Sequence, residues 1–310
     1  MKNYLFKRIL QGIGVIFAIS LITFFILNII PGNPVRMMLG EFATEEAVTQ
    51  VTKQMGLDRP TYIQYFDWLK NMLSGNFGVS YFQKKDVLSL MIPAFKVTLN
   101  LAIMAYVLAV ISGVVFGVLA AINHKKWGDS LIMTISVFGI SAPVFWIAII
   151  LQVWICLIWN ILPISGSDSF INYILPAIAL GMRYAAGIAR ITRTSMLEVM
   201  NQDYIRTAKA KGLVKWTVII RHGLRNALIP IITVSGTELG NILTGSILIE
   251  SIFSMPGMGK LLLDAINTRD LPIVQGGVMY IAFVCVVVFL LVDILYALVD
   301  PRVRLGKESE

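Results

Sequence analysis

The chain has 310 residues, of which 57% are hydrophobic and only 14% are charged, and its mean hydropathy is +0.77. This composition excludes an ordinary soluble globular protein and places the chain among membrane proteins. A net charge of +8 would suggest nucleic acid as the partner of a soluble chain. In a membrane protein the same charge follows the topology, so we expect no nucleic-acid partner.

Hydropathy predicts six spans, each near the roughly 20 residues that cross about 30 Å of hydrocarbon. They cover residues about 9–30, 98–122, 131–159, 174–197, 228–250 and 277–299. The first span is not a cleaved signal peptide, because its apolar run is too long and no small-residue cleavage site follows it. The prediction is an all-α polytopic membrane protein with six transmembrane helices.

The distribution of Lys and Arg sets the expected orientation. If the N-terminus is inside the cell, the inner segments hold most of the 26 basic residues, and the outer segments balance theirs with acidic residues. This is the positive-inside asymmetry of membrane proteins. We therefore expect both the N- and C-termini to be cytoplasmic and the excess positive charge to face anionic membrane lipid.

Three parts follow from this topology. They are residues 1–30 with the N-terminus and first span, residues 31–97 as an extracytoplasmic subdomain, and residues 98–310 as a core of five spans with a cytoplasmic loop at 198–227. In the outer segment, amphipathic helical patterns run around Glu45–Met55 and Tyr62–Leu73. Its aromatic residues, Tyr62 and Phe66 among them, predict burial in a folded subdomain rather than a disordered loop.

The cytoplasmic loop reads as a helix, a glycine turn and a second helix, after which Pro230 opens the next span. Asn201 or Asp203 suits the N-cap of the first helix, and Gly212 suits the left-handed residue after its last turn. Ala208 keeps this helix slim enough to enter a groove on a partner protein. An amphipathic helix lying on anionic lipid is the alternative, and the residue types alone do not decide between the two.

Enzymatic chemistry finds no support in the sequence. The run Gly257-Met-Gly-Lys260 suggests a phosphate-binding loop, but Ser254 stands where that motif needs a glycine and Leu261 replaces its metal-binding hydroxyl. The sequence also shows no Ser/His/Asp constellation and no His/Cys metal cluster. We expect a chain that is not an enzyme and that itself binds no cofactor and no metal.

Several motifs resemble permeases of ATP-binding-cassette (ABC) importers, in the form found in dipeptide, oligopeptide and nickel transport. Residues 203–213 and 225–230 are similar to the conserved cytoplasmic loop of that family, which runs Glu-Ala-Ala, three residues, Gly. Here Arg206, Thr207 and Ala208 occupy the triplet before Gly212. Further similar segments are 57–60 with Gln64 and Tyr65, 75–78 with Ser80, 162–166, 252–260 with 269–272, and Asp300 to Arg302.

This resemblance implies half of the translocation path of an importer for di- or oligopeptides in the plasma (inner) membrane of a bacterium or archaeon. It also implies a second, homologous permease subunit as heterodimer partner, two cytoplasmic ATPase subunits that carry ATP and magnesium, and an extracytoplasmic substrate-binding protein. The residues expected to couple the chain to an ATPase are Tyr204, Arg206, Thr207, Ala208, Lys211, Gly212 and Leu213.

Two alternatives stay open at this point. One is a permease for nickel or a metal chelate, although the spans contain no histidine to ligate a bare ion. The other is a non-transporting membrane sensor or scaffold, which would use residues 31–97 for recognition and the basic loop to hold a partner.

Polar residues inside the spans indicate where substrate passes. In span 5, Gly236 and Gly240 share one stripe suited to close helix packing, whereas Glu238, Asn241 and Gly245 lie on the opposite side. These polar residues cannot face lipid cheaply, so they line a translocation path or form a buried pair that joins two spans.

Arg183, at mid-depth in span 4, belongs to the same set of translocation-path residues. It shares a helical face with Gly187 and Arg190. We expect a structural ion pair between Arg183 and Glu238, with contact to a passing substrate as the alternative.

Between spans 5 and 6, residues 256–272 contain a Gly/Pro turn followed by a helical pattern at Leu261–Ile266. We expect this segment to act as an outer gate or as a docking site for the binding protein; a simple cap on the bundle is the alternative. The residues expected to form it are Pro256, Gly257, Gly259 and Asp270.

Overall fold

The computed structural model describes residues 2–29, 34–40 and 43–299, and over these residues the fold is all-α, as predicted. In chain order the helices are α1 (Lys2–Ile29), α2 (Pro34–Leu39), α3 (Glu45–Gln54), α4 (Thr61–Leu73), α5 (Val87–Ile122), α6 (Trp127–Ser141), α7 (Val144–Leu151), α8 (Phe170–Met200), α9 (Asp203–Ala210), α10 (Lys215–Thr217), α11 (Arg225–Ile252), α12 (Met258–Thr268) and α13 (Leu271–Val299). Two π-helical segments, Gln152–Ile158 and Val218–Leu224, continue α7 and α10.

Within the described residues, five helices are long and apolar enough to cross a membrane. They are Phe6–Ile26, Val87–Ile122, Phe170–Met200, Lys215–Ile252 and Leu271–Ile294. The predicted number of six is reached when α6 and α7, with its π-helical continuation, count as one bent span.

This bent span is a departure from the continuous helix predicted over 131–159. Its two halves meet at an angle of 107° around Ala142 and Pro143. Ala142 is extended, with φ −72° and ψ 136°, because proline disfavours the helical conformation of the residue before it and offers no N–H to the preceding turn. Pro93 and Pro176 lie inside α5 and α8, and membrane helices tolerate such prolines where neighbouring groups satisfy the freed carbonyls.

The helices extend further than the hydropathy boundaries. Helix α5 begins at Val87, well before the predicted start at 98, and Lys215–Ile252 forms one continuous helix. We had predicted that Pro230 is the first residue of the span. This prediction is wrong, because Pro230 lies inside α11. Hydropathy detects only the apolar part of a helix, whereas the backbone hydrogen bonds continue into polar sequence.

The chain divides into two compact units. The first contains Val97–Pro256 and residues of α13 from Val288 onward. Helix α8 contacts α6, α7 and α11 in this unit, and it packs closely on α5: a Cβ at Gly117 would lie 2.6 Å from the carbonyl oxygen of Ala189. Glycine is thus required for the close approach of α5 and α8.

The second unit contains Leu5–Lys96 and Gly257–Val287. Its core includes the fully buried side chains of Val87, Met91 and Met258. Helix α1 packs on α4, where the hydroxyl groups of Ser20 and Tyr65 are 2.8 Å apart. Phe24 meets the edge of the Tyr65 ring, at a centroid distance of 5.4 Å.

The two amphipathic patterns of the outer segment are observed as α3 and α4. The expectation that its aromatic residues are buried is only partly correct, since Tyr65 is 3% exposed but Tyr62 and Phe66 are 62% and 63% exposed. Only part of the surface of α4 is covered by other residues, and these two rings remain on the uncovered part. The similar motif at Asp300 to Arg302 lies outside the described residues.

Candidate functional site

A cavity of about 560 Å³ lies against α8 and α11. It is lined by Ile140, Arg183, Tyr184, Gly187, Arg190, Glu238, Asn241, Thr244 and Gly245. The four residues that the sequence assigned to a translocation path, Arg183, Glu238, Asn241 and Gly245, are thus brought together. Tyr184 and Thr244 were not among the residues predicted to line the cavity. Each is three residues from Gly187 or Asn241, and this helical spacing places them on the same faces of their helices.

Hydrogen bonds order one wall of this cavity. The side-chain amide of Asn241 donates to Glu238 Oε2 at 2.9 Å, one turn away on α11. The hydroxyl of Tyr184 donates to the backbone carbonyl of Asn241 at 3.0 Å. A Cβ at Gly245 would lie 2.8 Å from this hydroxyl, so glycine at 245 leaves the room that the tyrosine occupies.

The expected structural ion pair between Arg183 and Glu238 is not formed; within the described residues no salt bridge joins them. Glu238 instead accepts from Asn241, and its Oε1 lies 3.9 Å from the position of a Cβ at Gly187. Arg183 and Arg190 are exposed on the cavity side of α8. The three charged side chains that line the cavity therefore form no direct ion pair with one another.

The opposite face of α11 packs as predicted. A Cβ at Gly236 would lie 2.6 Å from Val292 Cγ1, and one at Gly240 would overlap the ring of Phe289. Both glycines are buried. Helix α11 thus presents small residues to α13 and polar residues to the cavity.

The loop helix α9 covers Asp203–Ala210, and its N-cap is Gln202, which makes no side-chain cap hydrogen bond. The predicted caps, Asn201 and Asp203, are therefore wrong; Asp203 is the first helical residue, where its charge favours the helix N-terminus. At the other end the prediction is confirmed. Gly212 has φ +75°, and its N–H donates to the carbonyl of Lys209 at 3.0 Å.

Helix α9 has an inner and an outer face. Ile205 and Ala208, 0% and 6% exposed, pack against Val218 on the inner face. Ala208 is therefore not available to a partner, contrary to our expectation, and its spacing of three residues from Ile205 explains why.

The other residues of the coupling set remain on the surface. Tyr204, Arg206, Thr207, Lys211, Gly212 and Leu213 are exposed. Val214 and Trp216, 69% and 57% exposed, extend this surface. These two residues were not expected on this surface, although large apolar residues in a basic loop indicate a contact site.

Asp270 is buried in the segment between α12 and α13, with 1% exposure. It accepts hydrogen bonds from the Ser80 hydroxyl at 2.5 Å and from the N–H groups of Tyr81 and Phe82 at 3.2 and 3.4 Å. Burial, followed by the charge of Asp270, raises the pKa of Tyr81 to about 12. Asp270 therefore stabilises the turn at residues 80–82. Our expectation that it contacts a docking protein is wrong, because its side chain is buried.

The other residues assigned to that outer site are also mostly inaccessible. Gly257 is the N-cap of α12 and is buried together with Gly259, whereas Pro256 is exposed. The helical pattern predicted at Leu261–Ile266 lies within α12.

Two buried acids outside the cavity have protein partners. Glu250, with 0% exposure, accepts from the Thr98 hydroxyl at 2.7 Å. Asp129 accepts two hydrogen bonds from the guanidinium of Arg193, at 2.6 and 2.7 Å. In the part of the chain that the structure describes, no group of three His, Cys, Asp or Glu side chains is placed to hold a metal ion.

Comparison with known proteins decides the family. Residues 113–305 match the family described as the binding-protein-dependent transport system inner membrane component, and residues 1–102 match the N-terminal membrane component of such systems. The chain belongs to this family. It is a multi-pass inner-membrane permease subunit of an ABC importer and not an enzyme. A permease of this family implies ATPase and substrate-binding partners.

Relatives match this permease along almost its full length. The glutathione transport system permease protein GsiC of Escherichia coli (strain K12) is 39% identical over 304 residues, which cover 98% of this chain and 99% of the relative. The protein of the same name from Shigella dysenteriae serotype 1 (strain Sd197) gives the same values.

Solved structures agree on the fold of the permease. An amino acid ABC transporter crystallised with histidines gives a TM-score of 0.53 at 16% identity, covering 69% of this chain and 94% of that chain. The inward-facing MetNI methionine ABC transporter gives 0.53 at 14% identity, covering 68% and 95%.

Proposed function

We propose that this permease forms half of the translocation path for short peptides and that the cavity around Arg183, Glu238 and Asn241 lies on that path. The observation that carries the proposal is a cavity with three mutually unpaired charges, lined by helices that are apolar enough to span a membrane. Charged groups at such positions are costly and mark substrate pathways. The name of the GsiC relatives refers to glutathione, a tripeptide, which supports a peptide as cargo.

The same charges disfavour a bare metal cation as cargo. Arg183 and Arg190 repel a cation, and Glu238 is a single carboxylate that already accepts a hydrogen bond from Asn241. Divalent nickel prefers several imidazole or carboxylate ligands. A metal chelate with free carboxylates does not face this repulsion and is therefore included as a second substrate in the test below.

The assembly that we propose has one further permease subunit as heterodimer partner. Two cytoplasmic ATPase subunits would hold ATP and magnesium, and an extracytoplasmic binding protein would deliver the peptide; this chain itself would bind no cofactor and no metal. The excess of Lys and Arg on one set of loops supports an orientation with both termini and the loop at 198–227 in the cytoplasm.

Coupling to an ATPase would act through the outer face of α9 and the exposed residues that follow it. Large side chains on this surface are those of Tyr204, Leu213 and Trp216, and its charged side chains include Arg206 and Lys211. On the inner face, α9 is packed against Val218.

Val218 belongs to the same continuous helix, Lys215–Ile252, that carries Glu238 and Asn241. A rigid movement of α9 is therefore transmitted to the cavity wall without an intervening flexible loop. This direct connection is what a coupling element requires.

Uptake measurements test the substrate. A strain that lacks the gene is supplied with labelled tripeptide, nickel and a nickel chelate in parallel, and complemented with wild type, Glu238→Gln or Asn241→Ala. We expect wild type to restore peptide uptake and the two cavity variants to reduce it about tenfold. Glu198→Gln, an exposed position on α8 outside the cavity, is the control and should behave as wild type. Restored nickel or chelate uptake without peptide uptake would refute the peptide assignment.

Crosslinking tests the coupling surface. Photoreactive side chains at Tyr204 and at Leu213 should capture an ATPase subunit in the intact complex, whereas the same group at buried Ile205 should not. Capture of lipid alone from the two exposed positions would contradict the coupling role.

A further inference from the structure

We infer that the cavity selects its cargo by charge and that Arg183, Glu238 and Arg190 together recognise a small peptide with two carboxylates and one ammonium group. This inference rests on the proposed function, because it requires that the cavity lies on the peptide's path. It adds a substrate class and the residues that set it.

The two arginines form a ladder on α8. They are seven residues apart and therefore lie on one helical face, separated by two turns or about 10 Å along the axis. Both are exposed and both line the cavity. A guanidinium donates two parallel hydrogen bonds to a carboxylate, so each arginine is a specific binding site for one carboxylate.

Measured along the axis of α8, Glu238 lies at a height between Arg183 and Arg190. Its Oε1 is 3.9 Å from the position of a Cβ at Gly187, and Gly187 shares the helical face of the two arginines at an intermediate height. The hydrogen bond from Asn241 to Oε2 holds the carboxylate in place. The order of charges along this wall is thus positive, negative, positive.

The cargo that complements this order has an acidic group at each end and an ammonium group near the middle. The three side chains sum to a charge of +1, and the complementary peptide has a net charge of −1. A cavity of about 560 Å³ is of the size that encloses a small ligand. Each charge of the peptide that has no opposite charge on this wall loses the Coulomb attraction that a matched charge gains, so peptides of different charge are discriminated.

A different origin for the unpaired arginines is an acidic residue of the second permease subunit. In that case Arg183 and Arg190 would hold the heterodimer together and would not sense the cargo. The two explanations differ in whether the effect of removing an arginine depends on the charge of the peptide.

The test uses the intact complex in proteoliposomes with its binding protein and three tripeptides of similar size. Glu-Ala-Ala has net charge −1, with its ammonium group between the side-chain and C-terminal carboxylates; Ala-Ala-Ala has 0 and Lys-Ala-Ala has +1. Uptake by each variant is divided by wild-type uptake of the same peptide, so that the preference of the binding protein cancels. The variants are Arg183→Gln, Arg190→Gln and the charge-conserving Arg183→Lys and Arg190→Lys. Arg59→Gln, at an exposed arginine outside the cavity, is the control.

We expect each Gln variant to lower the ratio for Glu-Ala-Ala about tenfold, which corresponds to the loss of one charge-assisted contact, and to change the other two ratios less than about twofold. The Lys variants should retain most of the Glu-Ala-Ala uptake. Glu238→Gln should instead raise the uptake of N-acetylated Glu-Ala-Ala, which lacks the ammonium group, relative to that of Glu-Ala-Ala. Arg59→Gln should change all three peptides equally, if at all.

An equal fall for the three peptides, or unchanged uptake in the Gln variants, would overturn the charge filter while the proposed peptide function stands. Failure of the Gln variants to co-purify with the second permease would overturn it as well, in favour of an ion pair across the heterodimer. Wild-type proteoliposomes that transport none of the peptides would refute the proposed function, and the inference with it.

Discussion

The hydroxyl of Tyr184 donates to the backbone carbonyl of Asn241 at 3.0 Å and thereby joins α8 to α11 at the wall of the cavity. Asn241 in turn holds Glu238 through its side-chain amide. The contact depends on Gly245, because any side chain there would begin 2.8 Å from the hydroxyl. The hydrogen bond of Tyr184 therefore requires glycine at position 245, and a double-variant experiment can measure this dependence.

Gly245→Ala should displace the Tyr184 hydroxyl and lower the stability of the complex by about 1–3 kcal/mol. Tyr184→Phe should lose one hydrogen bond, worth about 1 kcal/mol. In the double variant the added methyl group no longer meets a hydroxyl, so the loss should be smaller than the sum of the two. Thermal unfolding of the purified complex measures all three. Additive losses would show that the two residues do not interact.

Asp270→Ala should be among the most destabilising changes in the segments outside the spans. It leaves the Ser80 hydroxyl and the N–H groups of Tyr81 and Phe82 without their acceptor, which costs about 3 kcal/mol or more. Asp264→Ala is the control, since this exposed aspartate forms a surface ion pair with Lys260 at 3.3 Å on α12 and its loss should cost less than about 1 kcal/mol. Denaturant unfolding compares them, and equal losses would contradict the buried role of Asp270.

Alkaline pH should lower the stability of the folded segment around Tyr81 and Asp270. Because the folded pKa of Tyr81 is raised to about 12 from the ordinary 10.0, the folded state favours the protonated phenol. The resulting stabilisation is complete below pH 10 and is lost as pH rises toward 12, up to about 2 kcal/mol. The difference in phenolate absorbance between wild type and Tyr81→Phe follows this titration. A midpoint near 10 would contradict the buried environment, and Asp270→Asn should move the midpoint downward.

Gly212→Ala tests whether the loop needs its left-handed turn. Gly212 has φ +75° and no atom within 4 Å of an added Cβ, so the penalty comes from the backbone alone, about 1–2 kcal/mol. Gly14→Ala in α1 also has open space but lies in ordinary helix, where alanine is favoured by up to about 1 kcal/mol. We expect Gly212→Ala to reduce uptake per ATP hydrolysed and Gly14→Ala to leave it unchanged. If uptake per ATP hydrolysed were unchanged in Gly212→Ala but reduced in Gly14→Ala, the left-handed turn would not be required for coupling.

The sequence predicted the span number, the two faces of α11 and the left-handed residue at Gly212, because each rests on local chemistry or on helical periodicity. Gly236 and Gly240 meet α13, as their spacing of four residues indicated. These features need no knowledge of how distant segments meet.

Some errors concern partners that are remote in sequence, and others concern local signals that were weighed wrongly. Asp270 looked like a surface residue between two spans, and only folding brings it to Ser80, 190 residues earlier. Glu238 and Arg183 looked like a pair because an arginine at mid-depth in a span needs an anion, yet Asn241, one turn away on α11, binds Glu238. The bend at Pro143 was readable from the sequence, but the hydropathy window averaged over it.

Substrate protection at Thr244, an exposed residue of the cavity wall, tests the central claim most directly. A single cysteine at 244 in a background without Cys156 and Cys285 is treated with a membrane-impermeant thiol reagent in the assembled complex; a cysteine at buried Ile242 is the control. If the cavity is the peptide path, the reagent should modify position 244 but not 242, and a transported tripeptide should slow the modification. A rate at 244 that is negligible, or that is the same with and without peptide during transport, would contradict the account.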